Sequence, residues 1–166
     1  MGRGEHPVVW VTWQDAQEFC AWVSQISGQA VRLPTEAEWE KAARGSDERL
    51  YPWGNQEPNP QLCNYNTNGS TPVGKYSPQG DSPYGCVDMA GNVWEWVADW
   101  YDEHYYAHSP SRNPSGPESG KYRVLRGGSW LVYEYRLEYL LGASARGRRV
   151  PDDWDNLIGF RCSRSP

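Results

Sequence analysis

Asp88-Met89-Ala90-Gly91-Asn92-Val93-Trp94-Glu95-Trp96 is the stretch on which the reading of this chain turns. Two carboxylates, Asp88 and Glu95, flank a Gly91-Asn92 turn. Such a turn can aim backbone carbonyls inward, and carboxylates with carbonyls are the oxygen donors that calcium prefers. Residues 93 to 101 then begin by alternating apolar and polar side chains, the pattern of a half-buried strand.

Upstream, residues 51 to 90 are rich in Pro, Gly, Asn and Tyr and show no period. Disordered segments are poor in aromatic residues, so ordered loops packed by Trp and Tyr are expected here. The whole chain of 166 residues carries the same signature, with 10 Trp, 11 Tyr and 2 Phe beside 17 Gly and 13 Pro. Trp and Tyr bury a large apolar body and keep one polar handle, so they build a core around little regular structure. Gly and Pro mark turns. The length suits one domain, and no repeat, linker or second domain is visible.

Two helices are expected before the loops. Thr12 with Asp15 three residues on resembles a capping box, and Ala16, Phe19, Cys20 and Val23 follow on one apolar face until Gly28. Thr35 caps the second helix, with Glu38 at its third position, Ala42 and Ala43 inside and Gly45 closing it. Beyond the deciding stretch, 107 to 120 reads as a surface loop. Arg123 to Trp130 reads as strand, glycine turn, strand, and Ile158 to Cys162 as a last short strand.

Net charge is −5, which argues against a general nucleic-acid binder. The local cluster Arg146, Arg148 and Arg149 reads as structural or ligand-contacting. No run approaches the roughly 18 apolar residues of a membrane span, and no signal peptide is recognised. A soluble protein without an assignable compartment is expected. Cys20, Cys63, Cys86 and Cys162 lack C-x-x-C spacing, which makes zinc unexpected. Four scattered cysteines fit free thiols as well as two disulfides.

Five segments, 32–40, 51–54, 88–96, 126–130 (Arg126-Gly127-Gly128-Ser129-Trp130) and 158–161, stand in an order and spacing that resembles the sulfatase-modifying-factor family, which includes the formylglycine-generating enzymes. The likeness runs from about Pro7 to Cys162. It implies an α+β fold of the C-type-lectin type, with two helices, short strands and much irregular loop, as a single domain over 1–166. Family members usually carry further strands before the segment that begins here near Pro7, so the resemblance implies a shortened version or a fragment.

Formylglycine formation in this family uses copper held by two thiolates, since soft copper(I) wants soft sulfur. The family's pair lies just after Gly-Gly-Ser, five residues apart. Those positions are Val132 and Leu137 here, and no Cys occurs between Cys86 and Cys162. The expectation is therefore no copper and no enzyme. A related branch of iron-dependent sulfoxide synthases needs a histidine-rich site. This chain has only His6, His104 and His108, and the last two read as solvated loop residues. Ser129 has no His placed to activate it, and Glu134 with Glu138 reads as a solvated pair.

The resemblance implies calcium held by the side chains of Asp88 and Glu95 and the carbonyls of Gly91 and Val93. The competing reading is that Asp88 and Glu95 only accept from backbone N–H groups and hold the turn. A second family site would start at Asn64 and Tyr65, where no clear acidic partner follows. Cys20 and Cys162 match a pair bridged in the family, and a second family pair is absent, with Ala43 at one of its positions.

One branch of the family comprises the variable proteins of diversity-generating retroelements, which display a diversified surface on a rigid scaffold. This chain resembles that arrangement between Leu131 and Leu157. The implied function is ligand binding, with a protein or other macromolecule as partner. Adenine mutagenesis of asparagine codons cannot give Glu or Trp, so Glu134, Glu138 and Trp154 would be fixed. Leu131, Val132, Tyr133, Tyr135, Leu137, Arg146, Arg148, Asp153, Asp155 and Leu157 are the expected contacts, with Leu137, Leu140 and Leu141 the foremost candidates for core instead. The alternative is an oxidoreductase homologue or accessory domain whose chemistry lies on another domain or partner.

Overall fold

The computed structural model describes residues 4–133 and 137–164, the side chain of Glu138 excepted. Glu134 and Tyr135 of the reading above lie outside the described residues.

Helix α1 (Trp13–Ser27) starts at Thr12, whose hydroxyl accepts from Asp15 N–H while the Asp15 carboxylate accepts from Thr12 N–H. Gly28 ends it in the left-handed conformation. Its buried face is Trp13, Ala16 and Cys20. Phe19, expected on that face, is instead exposed, because the buried stripe turns toward Trp13 and leaves Phe19 at its margin. There its ring meets Trp22 and Phe160. Helix α2 (Glu36–Arg44) repeats the capping box with Thr35 and Glu38. It buries Glu36, Trp39 and Ala43.

The strands are short: β1 (Val31–Arg32), β2 (Trp94–Trp100), β3 (Arg123–Arg126), β4 (Gly147–Arg149), β5 (Ile158–Phe160) and β6 (Ser163–Arg164). Four form one sheet in the order β4-β3-β2-β5, and β1 pairs with β6 separately. β2 is antiparallel to β3 and parallel to β5, with Trp94 opposite Ile158. Two expectations need correction. No strand directly follows the glycine turn after β3, because Trp130 is committed to loop contacts described below. A third helix, α3 (Leu137–Leu141), lies where no helix was expected, a single turn too short to carry a periodic signal.

The core has three buried clusters. Trp13, Ala16, Cys20, Leu33, Trp96, Leu125 and Ile158 join α1 to the sheet. Trp39, Ala43, Met89, Val97, Val124 and Ala143 join α2 to the sheet. Tyr51, Cys63, Ala90, Val132 and Leu141 lie under the long loops. Those loops are ordered by aromatic side chains as the composition implies. Tyr51 and Trp53 stack at 5.4 Å, and Trp53 Nε1–H donates to the carbonyl of Gln56 at 2.9 Å.

Candidate functional site

The segment after β3 is held on both sides by backbone bonds. Gly91 N–H donates to Gly127 O at 2.7 Å, and Trp130 N–H to Asn92 O at 2.9 Å. From the other side, Asn66 N–H donates to Val132 O and Thr67 N–H to Trp130 O. This clamp sets which side chains face inward. Val132 is 4% exposed and sits in the third cluster, with Leu137 and Leu140 packed against it. Val132 and Leu137, the positions that the resemblance would give to thiolates, therefore hold apolar side chains in or against the core. The nearest buried thiol in that cluster, Cys63, is pushed up to about 12 by burial, so it stays protonated at neutral pH.

Of the expected contacts, Leu131 (39% exposed) and Tyr133 (49%) stand outward. Arg148 is exposed, its guanidinium lying over the rings of Tyr101 and Tyr122. Asp153 is exposed, 3.8 Å from Arg149. Five others need correction. Val132 is core, and Leu137 is half-buried against it. Leu157 packs against the first cluster. Arg146 grips the Glu36 carboxylate with two bonds of 2.7 and 2.9 Å and donates to Asp102 O, so its guanidinium is structural. Asp155 is half-buried, and its carboxylate accepts from Leu157 N–H at 2.7 Å.

Sequence reasoning missed three outward aromatic residues. Tyr139 is 77% exposed on α3. Trp154 (58%) makes an edge contact at 5.4 Å with Trp10, which is likewise exposed and has a positive φ of 63°. Trp in a chain this rich in Trp reads as core, so no local signal marked them.

The carboxylates of the deciding stretch are occupied. Both Glu95 oxygens accept from the Arg161 guanidinium, at 2.5 and 2.6 Å, and one also accepts from Trp39 Nε1–H at 2.7 Å. Asp88 accepts from Gly74 N–H at 2.8 Å, and burial raises its carboxyl above the ordinary value. A small cavity of about 170 Å³ touches Asp88, Asn92, Val93, Glu95 and Arg161. Calcium on Asp88, Gly91, Val93 and Glu95 would have to share Glu95 with the Arg161 guanidinium. At Asn64 the amide is likewise engaged, by Thr67 Oγ1 and Gly69 O. Among the described residues, no three His, Cys, Asp or Glu side chains stand as a metal-binding group.

The family model of the sulfatase-modifying factor enzyme 1-like domain matches residues 1–166. The chain belongs to this family. A formylglycine-generating enzyme of Thermomonospora curvata is 42% identical over 99% of this chain and 57% of its own length. Among solved structures, Treponema denticola variable protein 1 superposes with a TM-score of 0.87 at 27% identity, covering 99% of this chain and 73% of that one. PvdO from Pseudomonas aeruginosa gives a TM-score of 0.84 at 28% identity, covering 98% and 63%. The chain spans about half the length of the formylglycine-generating enzymes it matches. The α+β, C-type-lectin-like architecture of the sulfatase-modifying-factor family is thus the architecture of this chain, and variable proteins share it.

Within this family fold, Cys20 on α1 and Cys162 after β5 face each other as thiols with Sγ atoms 3.6 Å apart. Cys20 is buried, which pushes its thiol up to about 12, and Cys162 is exposed. Cys63 and Cys86 are also free. Among the described residues, no helix is long and apolar enough to cross a membrane.

Proposed function

We propose that this chain is a non-catalytic ligand-display protein whose binding surface is carried by the stretch from 131 to 157. The observation that carries this reading is the alternation fixed by the backbone clamp. Val132 and Leu137 turn into the third cluster, where a copper site would need sulfur, while Leu131, Tyr133 and Tyr139 turn outward. Outward Tyr offers large contact area at low entropy cost. The likeness to a variable protein supports the same reading. The surface is narrower than the stretch: Leu131, Tyr133, Tyr139, Arg148, Asp153 and Trp154, with Trp10 contributed from outside it. A protein or other macromolecule is the proposed partner class.

The formylglycine-generating relatives favour a second reading, an enzyme homologue whose chemistry needs another domain or partner. One experiment tests the display reading. The chain is incubated with copper(I), oxygen and a cysteine-bearing sulfatase peptide, beside a cysteine-bearing family member as positive control. No copper uptake and no conversion is the expected result, and turnover overturns the display reading. In parallel, a Leu131→Ser, Tyr133→Ser, Tyr139→Ser variant is expected to unfold at an unchanged midpoint. A large loss of stability would make these residues scaffold.

A further inference from the structure

An open pocket of about 510 Å³ lies along α2, bordered by Tyr106 and by Ser144 and Arg146. Proteins hold small organic molecules in pockets of roughly 300–1,000 Å³. The wall offers the methyl of Ala37 and the ring of Tyr106 as apolar surface, and Glu40, Lys41, Arg44, Glu48 and Arg146 as charges. Which charges are available is decided by their partners. Arg146 is held bidentately by Glu36. Glu40 accepts from the fully buried Arg126 at 2.8 Å. Arg126, Arg146, Glu36 and Glu40 thus cancel as a network anchored on the buried Arg126 and Glu36.

Two cations remain. Lys41 is in no ion pair among the described residues, and its ammonium lies 6.0 Å from the Tyr84 ring centroid. Arg44 is held loosely. It reaches the Glu40 carboxylate at 3.4 Å and the Glu48 carbonyl at 3.4 Å, both longer than an ordinary N–H···O bond. Its Nε–H is buried with no acceptor at all. A buried donor left unsatisfied is costly, and in native structures such a donor calls for an explanation. Against these two cations stands one carboxylate, that of the exposed Glu48.

We propose that this pocket binds a small organic acid, with its carboxylate on Arg44 and Lys41 and a flat apolar body against Ala37 and Tyr106. A carboxylate at the Arg44 terminal nitrogens would replace their long contacts to Glu40 and to the Glu48 carbonyl with charge-assisted bonds of ordinary length. The site is independent of the display reading. Its floor is α2, and the outward residues Leu131, Tyr133 and Tyr139 do not line it.

The test is a titration of the isotope-labelled full chain with naphthoate, followed through the Arg44 Nε–H resonance and the backbone amides of 40–46. Naphthalene methanol serves as the neutral isostere. Naphthoate is expected to give saturable shifts at these groups, and the alcohol to bind at least about tenfold more weakly, the loss of one charge-assisted bond. Arg44→Gln is expected to weaken naphthoate by about tenfold, Lys41→Gln to weaken it, and Glu48→Gln to tighten it. Ser144→Trp, at an exposed rim position, is expected to block it without touching α2. The triple serine variant of the display surface is expected to bind naphthoate unchanged. Absent saturation, equal binding of the alcohol, or unchanged affinity in the Lys41→Gln and Ser144→Trp variants would overturn the proposal even if Arg44→Gln failed to fold.

Discussion

Asp99 is a carboxylate whose chemistry departs far from what its type suggests. It is buried, and one oxygen accepts from Glu36 N–H at 2.7 Å at the start of α2. Burial lifts its carboxyl to about 6. The folded state therefore holds a proton that the unfolded chain releases near the ordinary carboxylate value. Stability from this group is fully present at the acid end of that window and is lost as pH rises through about 6. Asp99→Asn keeps the acceptor and removes the titration. Urea midpoints measured between about pH 4 and pH 7 are expected to converge at the acid end and to separate as pH rises, with the variant the more stable. Parallel curves would mean that Asp99 titrates normally. Asp99 reads in sequence as one more acidic residue on a strand. Its partner lies 63 positions away, and no local pattern reports such a pairing. The same holds for Arg146, whose partner Glu36 is 110 positions distant. Arg146 is expected on the contact surface because it stands between 131 and 157 and arginine is among the residues that adenine mutagenesis can give.

At the scale of elements, what could be read was what is encoded locally. Helices α1 and α2 were legible because Thr12 with Asp15 and Thr35 with Glu38 state their starts within four residues, and Gly28 and Gly45 state their ends. Strand β2 was legible from its opening alternation. Helix α3 was not, since its existence depends on where the backbone goes after the glycine turn. That turn is the most demanding element of the site. Gly128 has φ +76°, and a Cβ there would come within 2.5 Å of Leu140 O and 2.7 Å of a Leu141 methyl. Gly128→Ala would combine left-handed strain with a clash against α3. It is expected to cost at least about 2 kcal/mol by chemical denaturation. Amide exchange is expected to quicken across 137–141 more than in α1. A change smaller than about 0.5 kcal/mol would mean that α3 moves freely with the turn.

For the whole molecule, the ends of the chain are what hold the first cluster together. Trp13, Ala16 and Cys20 from α1 pack with Ile158 from β5, and Cys20 faces Cys162. An oxidant that joins these two thiols would close a loop spanning 142 positions. Loop-closure entropy then favours the folded state by at most about 5 kcal/mol. A thermal midpoint that rises under mild oxidation and falls back with reductant is expected, with the bridged peptide found by mass spectrometry. A bridge through Cys63 or Cys86 instead would contradict the packing. The same arrangement bears on how the protein is made. β5 pairs with β2 in parallel and lies beside it at the edge of the four-stranded sheet. A ribosome delivers α1 first and β5 more than a hundred residues later. Until residue 160 has left the exit tunnel, Trp13 and Trp96 lack Ile158, and the cluster that covers the apolar face of α1 is incomplete. Completion of the first cluster is therefore bound to follow the synthesis of β5, and a nascent chain stalled before β5 is the form in which a holding chaperone would meet it.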